Sequence, residues 1–275
     1  MPELPEVETV CRRLRPAVSG KTIQSVDVLD PKIIRGLDPE EWVHHLIGET
    51  ITDVERRGKF ILFKLTNGYL VSHLRMEGKF FPYETATEPV KHTHVVITFT
   101  DQSTLHYNDV RKFGTMELRT NETIHTTPPL SLLAYEPFDE RVTTEALHRR
   151  LERMKTRAIK TALLDQSIFV GLGNIYVDET LFRAGVHPTR PAASLSREEV
   201  DRVRTEAVAV LNEAIERGGS TIRSYANPDG ALGTFQERLY VYGQTGEPCR
   251  RCGHEIEKMK LGGRGTHYCP HCQQR

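Results

Sequence analysis

Apolar residues near the start of the chain recur at helical spacing, with Val7, Val10, Cys11 and Leu14 on one stripe. Pro2 and Pro5 stand where a first helical turn tolerates proline, Glu3, Glu6 and Glu8 suit the positive end of the helix dipole, and Gly20 can end the segment. The pattern then shortens to strand-like runs at 22–29, 51–57, 60–65 and 69–74, with Asn67-Gly68 marking a hairpin between the last two. A second hairpin joins 95–100 to 104–107 across Asp101-Gln102-Ser103. Short strands with frequent turns predict a sandwich or barrel, not a βαβ sheet. Residues 120–140, rich in threonine, proline and acids, read as an interdomain linker. Beyond them the period becomes helical: 144–154, a segment around 159–164, 174–184 closed by Gly185, and 197–217. The last has Ser196 as N-cap with Glu199 completing a capping box, an apolar stripe of Val200, Val203, Ala207 and Val210, and Gly218-Gly219 as its stop. No internal repeat is visible.

With 38% apolar and 27% charged residues over 275 positions, the chain can bury a core. No apolar run reaches the roughly 18 residues of a membrane span. Met1 is followed by proline and acids, so a cytoplasmic protein with no membrane partner is expected. Lysine plus arginine equals aspartate plus glutamate at 37 each, so net charge identifies no partner. Its distribution is more informative. Between Asp53 and Phe80 six bases oppose three acids, between Arg238 and Arg275 seven oppose three, and Lys155, Arg157 and Lys160 form a third island. Such islands fit a DNA-binding face; they also fit an ordinary solvated surface.

Four of the five cysteines fall in the last 27 positions, as Cys249-x-x-Cys252 and Cys269-x-x-Cys272 with sixteen residues between the pairs. That spacing predicts one structural zinc held by four thiolates, with no position left open for catalysis. His254, His267 and His271 are nearby alternatives, but the thiolate set is complete without them. Cys11 reads as a small buried hydrophobe. The glycine-rich stretch 260–266 presents Arg264, as a phosphate or groove contact or as a solvated hairpin tip.

Removal of Met1 before the small Pro2 would expose a secondary amine whose pKa the helix dipole lowers. A secondary amine that captures an aldehyde carbon forms an iminium, an electron sink for elimination next door. Glu3 is placed to act as general acid or base. The same two residues also suit a helix start with no chemistry attached.

Taken together, Met1–Thr9 (MPELPEVET), Arg56–Phe60 (RRGKF), Ser72–Gly78 (SHLRMEG), Asp109–Gly114 (DVRKFG), Gly171–Glu179 (GLGNIYVDE), Arg217–Thr221 (RGGST) and the cysteine knuckles resemble the bacterial formamidopyrimidine-DNA glycosylases, in family order over essentially the whole chain. Leu4, where the related endonuclease VIII branch typically carries glycine, favours the oxidised-purine branch over an oxidised-pyrimidine one. The resemblance implies a multi-domain α+β fold: an N-terminal β-sandwich with a catalytic N-terminal helix (1–133), a helix-two-turns-helix domain with a lesion-capping loop (134–236) and a four-cysteine zinc finger (237–275), with duplex DNA in the cleft between. It implies a monomeric bifunctional glycosylase and AP lyase that flips out 8-oxoguanine or a formamidopyrimidine, works in the cytoplasm and is nucleoid-associated when bound to DNA. On that resemblance Pro2 is the nucleophile, Glu3 the proton donor, Lys59 the residue of β-elimination and Arg264 that of δ-elimination. Met76, Arg111 and Phe113 fill the gap left by the flipped nucleotide, and His92, Lys160 and Asn174 contact the DNA backbone. Ser220, Ile222, Arg223, Ser224 and Tyr225 belong to the loop that closes on the lesion, which flanking glycines would free to move. A rival of another class, a catalytically silent damage-binding protein, would keep the finger and the basic islands but need neither a free Pro2 amine nor Glu3.

Overall fold

The computed structural model describes residues 1–220 and 233–275. The chain divides into two compact units, one centred on Met1–Ser131 and the other formed by Leu132–Ser220 with Thr234–Arg275.

The first unit opens with α1 (Leu4–Val18), whose stripe of Val7, Val10, Cys11, Leu14 and Val18 is buried as the spacing predicts. Strands follow as β1 (Lys21–Val28), β2 (Ile34–Arg35), β3 (Thr50–Arg57), β4 (Phe60–Leu65), β5 (Gly68–His73), β6 (Lys79–Tyr83), β7 (Thr93–Phe99), β8 (Thr104–Asn108) and β9 (Thr115–Arg119), paired in the order β2-β9-β5-β4-β3-β1-β7-β8-β6. β1 joins two layers. Its first residues, Lys21 and Thr22, pair with β3, and after a register shift between Ile23 and Ser25 the rest pairs with β7. A strand that changes partners at such an irregularity turns the corner of a sandwich. The core lies between the layers, with Ile61, Phe63 and Leu70 from one facing Phe80, Ile97, Leu105 and Tyr107 from the other, and the Phe63 and Phe80 rings 5.1 Å apart.

α2 (Pro39–Leu46) has no counterpart in the sequence reading. Asp38 caps it by accepting from the Glu40 N–H at 2.9 Å, and Trp42 and Leu46, one turn apart, are fully buried. Two anchors over eight residues are too few to show a helical period.

The second unit carries α3 (Thr144–Glu152), α4 (Ile159–Leu163), α5 (Asn174–Ala184) and α6 (Arg197–Glu216), close to their predicted spans. Gly185, at φ 72°, closes α5, and Ser196 and Glu199 form the expected capping box on α6. A hairpin, β10 (Glu257–Leu261) and β11 (Arg264–Tyr268), packs on α5. The finger and α5 share a core of Phe182, Val241, Cys249, Ile256 and Cys269. The buried Glu179 carboxylate of α5 accepts from the backbone N–H groups of Tyr240, Val241 and Tyr242, each at 2.9 Å, and so fixes the chain that leads into the finger. Among the described residues no helix is long and apolar enough to cross a membrane.

Candidate active site and metal centre

In the first unit α1 runs against β3 on three rungs. Arg56 Nε donates to Glu8 Oε2 at 2.9 Å, Cys11 Sγ to Glu55 O at 3.4 Å, and Arg15 Nη2 to Val54 O at 2.6 Å. As α1 advances β3 recedes, so the helix start and the β3 end lie together. Four residues back from Glu8 to Leu4 cover about 6 Å at the helical rise, and Glu3 and Pro2 lie just before it. Lys59 follows Arg56 by three residues, in the turn that ends β3. Pro2, Glu3 and Lys59 therefore reach one end of the sandwich. Arg57 pairs with Phe60, leaving Gly58 (φ 58°) and Lys59 as a two-residue hairpin turn. Pro2 is buried, Glu3 is 2% and Lys59 6% exposed, and Glu6 accepts from the Glu3 backbone N–H at 2.9 Å.

The same end collects the other candidates of this unit. Phe60, His73 and Thr115 form one row across β4, β5 and β9. Lys59 precedes that row, Met76 follows His73 in the loop 74–78, and Arg111 and Phe113 lie in the loop 109–114 that enters β9. His92, at the start of β7, accepts the Asp109 N–H through its backbone oxygen at 3.0 Å. Met76 is 39% and Phe113 52% exposed, although both are large and apolar. Both stand on loops outside the core. The Arg111 guanidinium lies 4.8 Å from the Phe113 ring centre, a cation over an aromatic face.

Asp109 organises the second loop. It is fully buried, and its carboxylate accepts from the Arg111 N–H at 3.0 Å and the Gly114 N–H at 2.8 Å. Its peptide oxygen lies 2.7 Å from His94 Nε2. His73 is a further member that sequence reasoning passed over. Burial, then the positive charges of Arg75 and Lys59, push its pKa down to about 3, so it is neutral. Its Nδ1 accepts the Arg75 N–H at 3.0 Å, and its ring stands edge-on to Phe60. The usable signal was a lone histidine inside Ser72–Gly78; periodicity marks it only as a strand residue.

In the second unit Leu261 pairs with Arg264, so Gly262 and Gly263, both at positive φ, make the two-residue tip of the hairpin and Arg264 is exposed beside it. Asn174, first residue of α5, donates through Nδ2 to Gly265 O at 2.9 Å. Lys160 corrects an expectation. The sequence reading puts it on a DNA-facing surface, yet it is wholly buried, with Nζ 2.8 Å from Asp178 Oδ1 and donating to Thr266 Oγ1 at 2.8 Å and Gly265 O at 3.1 Å. Basic spacing along α4 identified a cation but not its buried acid eighteen residues on. Tyr176 Oη lies 3.4 Å from Ser220 Oγ. Ile222, Arg223, Ser224 and Tyr225 lie outside the described residues.

Cys249, Cys252, Cys269 and Cys272 bring their sulfurs within 4.8 Å of one another, with Cys249–Cys272 at 3.9 Å and Cys252–Cys269 at 3.5 Å. Tetrahedral zinc with bonds of about 2.3 Å requires sulfurs about 3.8 Å apart, so the site fits the ion. Backbone N–H groups of Arg251 and Cys272 each donate to a knuckle sulfur at 3.4 Å. His254 and His271 are exposed and stack on each other at 4.3 Å, and His267 is held by Asp178. Four thiolates leave the histidines no necessary part in the zinc site.

Three family models match the chain: the formamidopyrimidine-DNA glycosylase N-terminal domain over residues 1–116, the H2TH domain of the same enzymes over 133–226, and a zinc finger found in FPG and IleRS over 246–275. A formamidopyrimidine-DNA glycosylase of an Exiguobacterium species is 99% identical over 275 residues, and that of Geobacillus kaustophilus 52% identical over 276, each pair covering 100% of both chains. Among solved structures, a Lactococcus lactis FPG mutant bound to DNA containing Fapy-dG superposes with a TM-score of 0.93 at 40% identity, covering 100% of both chains. MutM in complex with DNA containing carbocyclic 8-oxo-G gives 0.92 at 40%, with the same coverage.

Proposed function

The chain belongs to the formamidopyrimidine-DNA glycosylase family, and from that premise we propose that it removes oxidised purines, 8-oxoguanine and formamidopyrimidines, from duplex DNA and then cleaves the abasic strand. The observation that carries the residue assignment is the convergence, at one end of the sandwich, of the α1 start, the Gly58-Lys59 turn and the two loops bearing Met76, Arg111 and Phe113.

With Met1 removed, the Pro2 nitrogen attacks C1′ of the extruded nucleotide. The N–C1′ bond forms as the glycosidic bond breaks, and the base leaves with the bonding pair and a proton from Glu3. The amine sheds its one hydrogen, its lone pair expels the ring oxygen, and the iminium that remains keeps its charge without an N–H. Loss of a C2′ proton then expels the 3′ phosphate, a step assigned to Lys59. Arg264 is assigned to the second elimination, which expels the 5′ phosphate. Met76 and Phe113 fill the emptied stack and Arg111 donates to the base left opposite. His92 and Asn174 are assigned to the DNA backbone, and Ser220, Ile222, Arg223, Ser224 and Tyr225 to recognition of the lesion. Zinc, when bound, is structural: four thiolates supply no open coordination position. The working parts are 1–133, 134–236 and 237–275, in a monomer that acts in the cytoplasm on the nucleoid.

Borohydride added during turnover of a duplex with 8-oxoguanine opposite cytosine should trap a covalent protein–DNA species through Pro2, absent in Pro2→Gly. A protein that lacks Met1 and binds the lesion tightly yet gives no adduct would instead be a silent damage-binding protein.

A further inference from the structure

The loops 74–78 and 109–114 cross between the two sheets side by side and in opposite directions. The first leaves β5 after His73 and enters β6 at Lys79; the second leaves β8 after Asn108 and enters β9 at Thr115. His73 pairs with Thr115 and Lys79 with Asn108, so each loop begins beside the end of the other. Tyr107 lies beneath both, 1% exposed, in register with Phe80 and with the two rings 5.0 Å apart. A Cβ added to Gly78 would stand 2.4 Å from Tyr107 Oη, and one added to Gly114 only 1.6 Å from the same atom. The two closing glycines thus rest on a single oxygen. That hydroxyl donates to Asp109 Oδ2 at 3.3 Å, the carboxylate oxygen that also takes the Gly114 N–H. Arg75 and Lys112, at φ 52° and 56°, hold left-handed backbone that costs on the order of 1 kcal/mol or more and persists only where the surroundings impose it.

We propose that Tyr107 is a positioning residue for gap filling: its hydroxyl sets the separation of Met76 on one loop from Arg111 and Phe113 on the other, and with it the reading of the base opposite the lesion. The inference rests on the gap-filling role given to those three side chains above. Tyr107 itself, buried under the loops, touches no DNA.

Tyr107→Phe keeps the ring in its stack and removes the oxygen. Three quantities test it: single-turnover excision of 8-oxoguanine opposite cytosine and opposite adenine, strand cleavage at an abasic site already present in single-stranded DNA, and the melting temperature. Duplex excision should slow on the order of tenfold, as expected for a small misplacement of reacting partners. The preference for cytosine over adenine should shrink, while single-strand cleavage stays within about twofold of the parent. Phe113→Ala is the control, since it must slow duplex excision if these loops fill the gap. A parent enzyme without duplex excision, or an inert Phe113→Ala, counts against the function proposed above. A responsive Phe113→Ala beside a Tyr107→Phe that matches the parent overturns the positioning role, and so does a Tyr107→Phe that slows both substrates in parallel. Should Tyr107→Phe melt far below the parent, the two substrates are compared at a temperature where both proteins remain folded; the same selective loss is expected there, and a parallel loss or full activity would overturn the proposal.

Discussion

His73 is held neutral at the end of the sandwich that also carries Lys59 and Arg75. Its folded pKa, pushed down to about 3 by burial first and by Arg75 and Lys59 after it, lies below the value of about 6.5 of an unfolded histidine. Between those values the unfolded chain binds a proton that the native chain does not, so stability is present above the unfolded pKa and is lost as pH falls. One such group contributes a slope of about 1.4 kcal/mol per pH unit in that window. His106 and His187 are shifted the same way by burial, so His73 supplies one share of the loss. Denaturant melts between pH 6.5 and 5 should show stability falling with pH, and a shallower fall in His73→Asn; parallel curves would show that His73 does not titrate on unfolding. Cys11 obeys the same physics with the opposite sign. Burial pushes its thiol up to about 12, and its Sγ donates to Glu55 O. Since the thiolate is the nucleophile, folded protein treated with iodoacetamide at pH 8 should carry no label on Cys11, and mass spectrometry of the peptide checks it.

Among elements, the β10–β11 hairpin depends most on a partner elsewhere in the chain. Lys160 reaches Gly265 O and Thr266 Oγ1, Asn174 reaches Gly265 O, and Asp178 accepts the His267 N–H at 2.9 Å, so α4 and α5 set where Arg264 is presented. Removing one member of a buried ion pair leaves the other uncompensated, at a cost of about 3–5 kcal/mol. Lys160→Met should therefore lower the melting temperature clearly, and Lys160→Met with Asp178→Asn should regain part of the loss, because the neutral side chain still accepts from His267. A Lys160→Met protein as stable as the parent but weaker on DNA would make Lys160 a DNA contact after all. This network also marks where the sequence stopped being informative. Periods of 3.6 and 2 residues placed α1, α5, α6 and the β3–β4–β5 run within a residue or two, because each buries a continuous stripe. β2, β6, β9 and α2 have two to eight residues apiece and take their identity from the neighbours they pair with or pack on. Motifs located Lys59, Arg111 and the cysteines. They spanned Asp109 and Asp178 without giving either a role and missed Tyr107, because the importance of all three lies in atoms they meet across the fold.

At the scale of the molecule, the four thiolates stand inside the core that the finger shares with α5, where Phe182, Val241, Ile256, Cys249 and Cys269 pack together. Zinc bound to such a set contributes an apparent free energy on the order of 10 kcal/mol or more, comparable to the whole stability of a domain. Losing the ion should therefore loosen the unit formed by Leu132–Ser220 and Thr234–Arg275, not the hairpin alone. Among the described residues the four clustered cysteines all lie in the second unit, and the first has a sandwich core of its own. It also has a built-in reporter: Trp42, the one tryptophan of the chain, is fully buried there on α2. Chelated protein, or Cys249→Ser, should lose part of its far-ultraviolet helix signal at a temperature well below the parent's, while the fluorescence transition of Trp42 keeps its midpoint. DNA affinity should fall with the first transition, because Arg264 and Asn174 belong to the unit that melts. If Trp42 and the helix signal move down together, the two units unfold as one, and the zinc stabilises the sandwich as much as the helices it is built into.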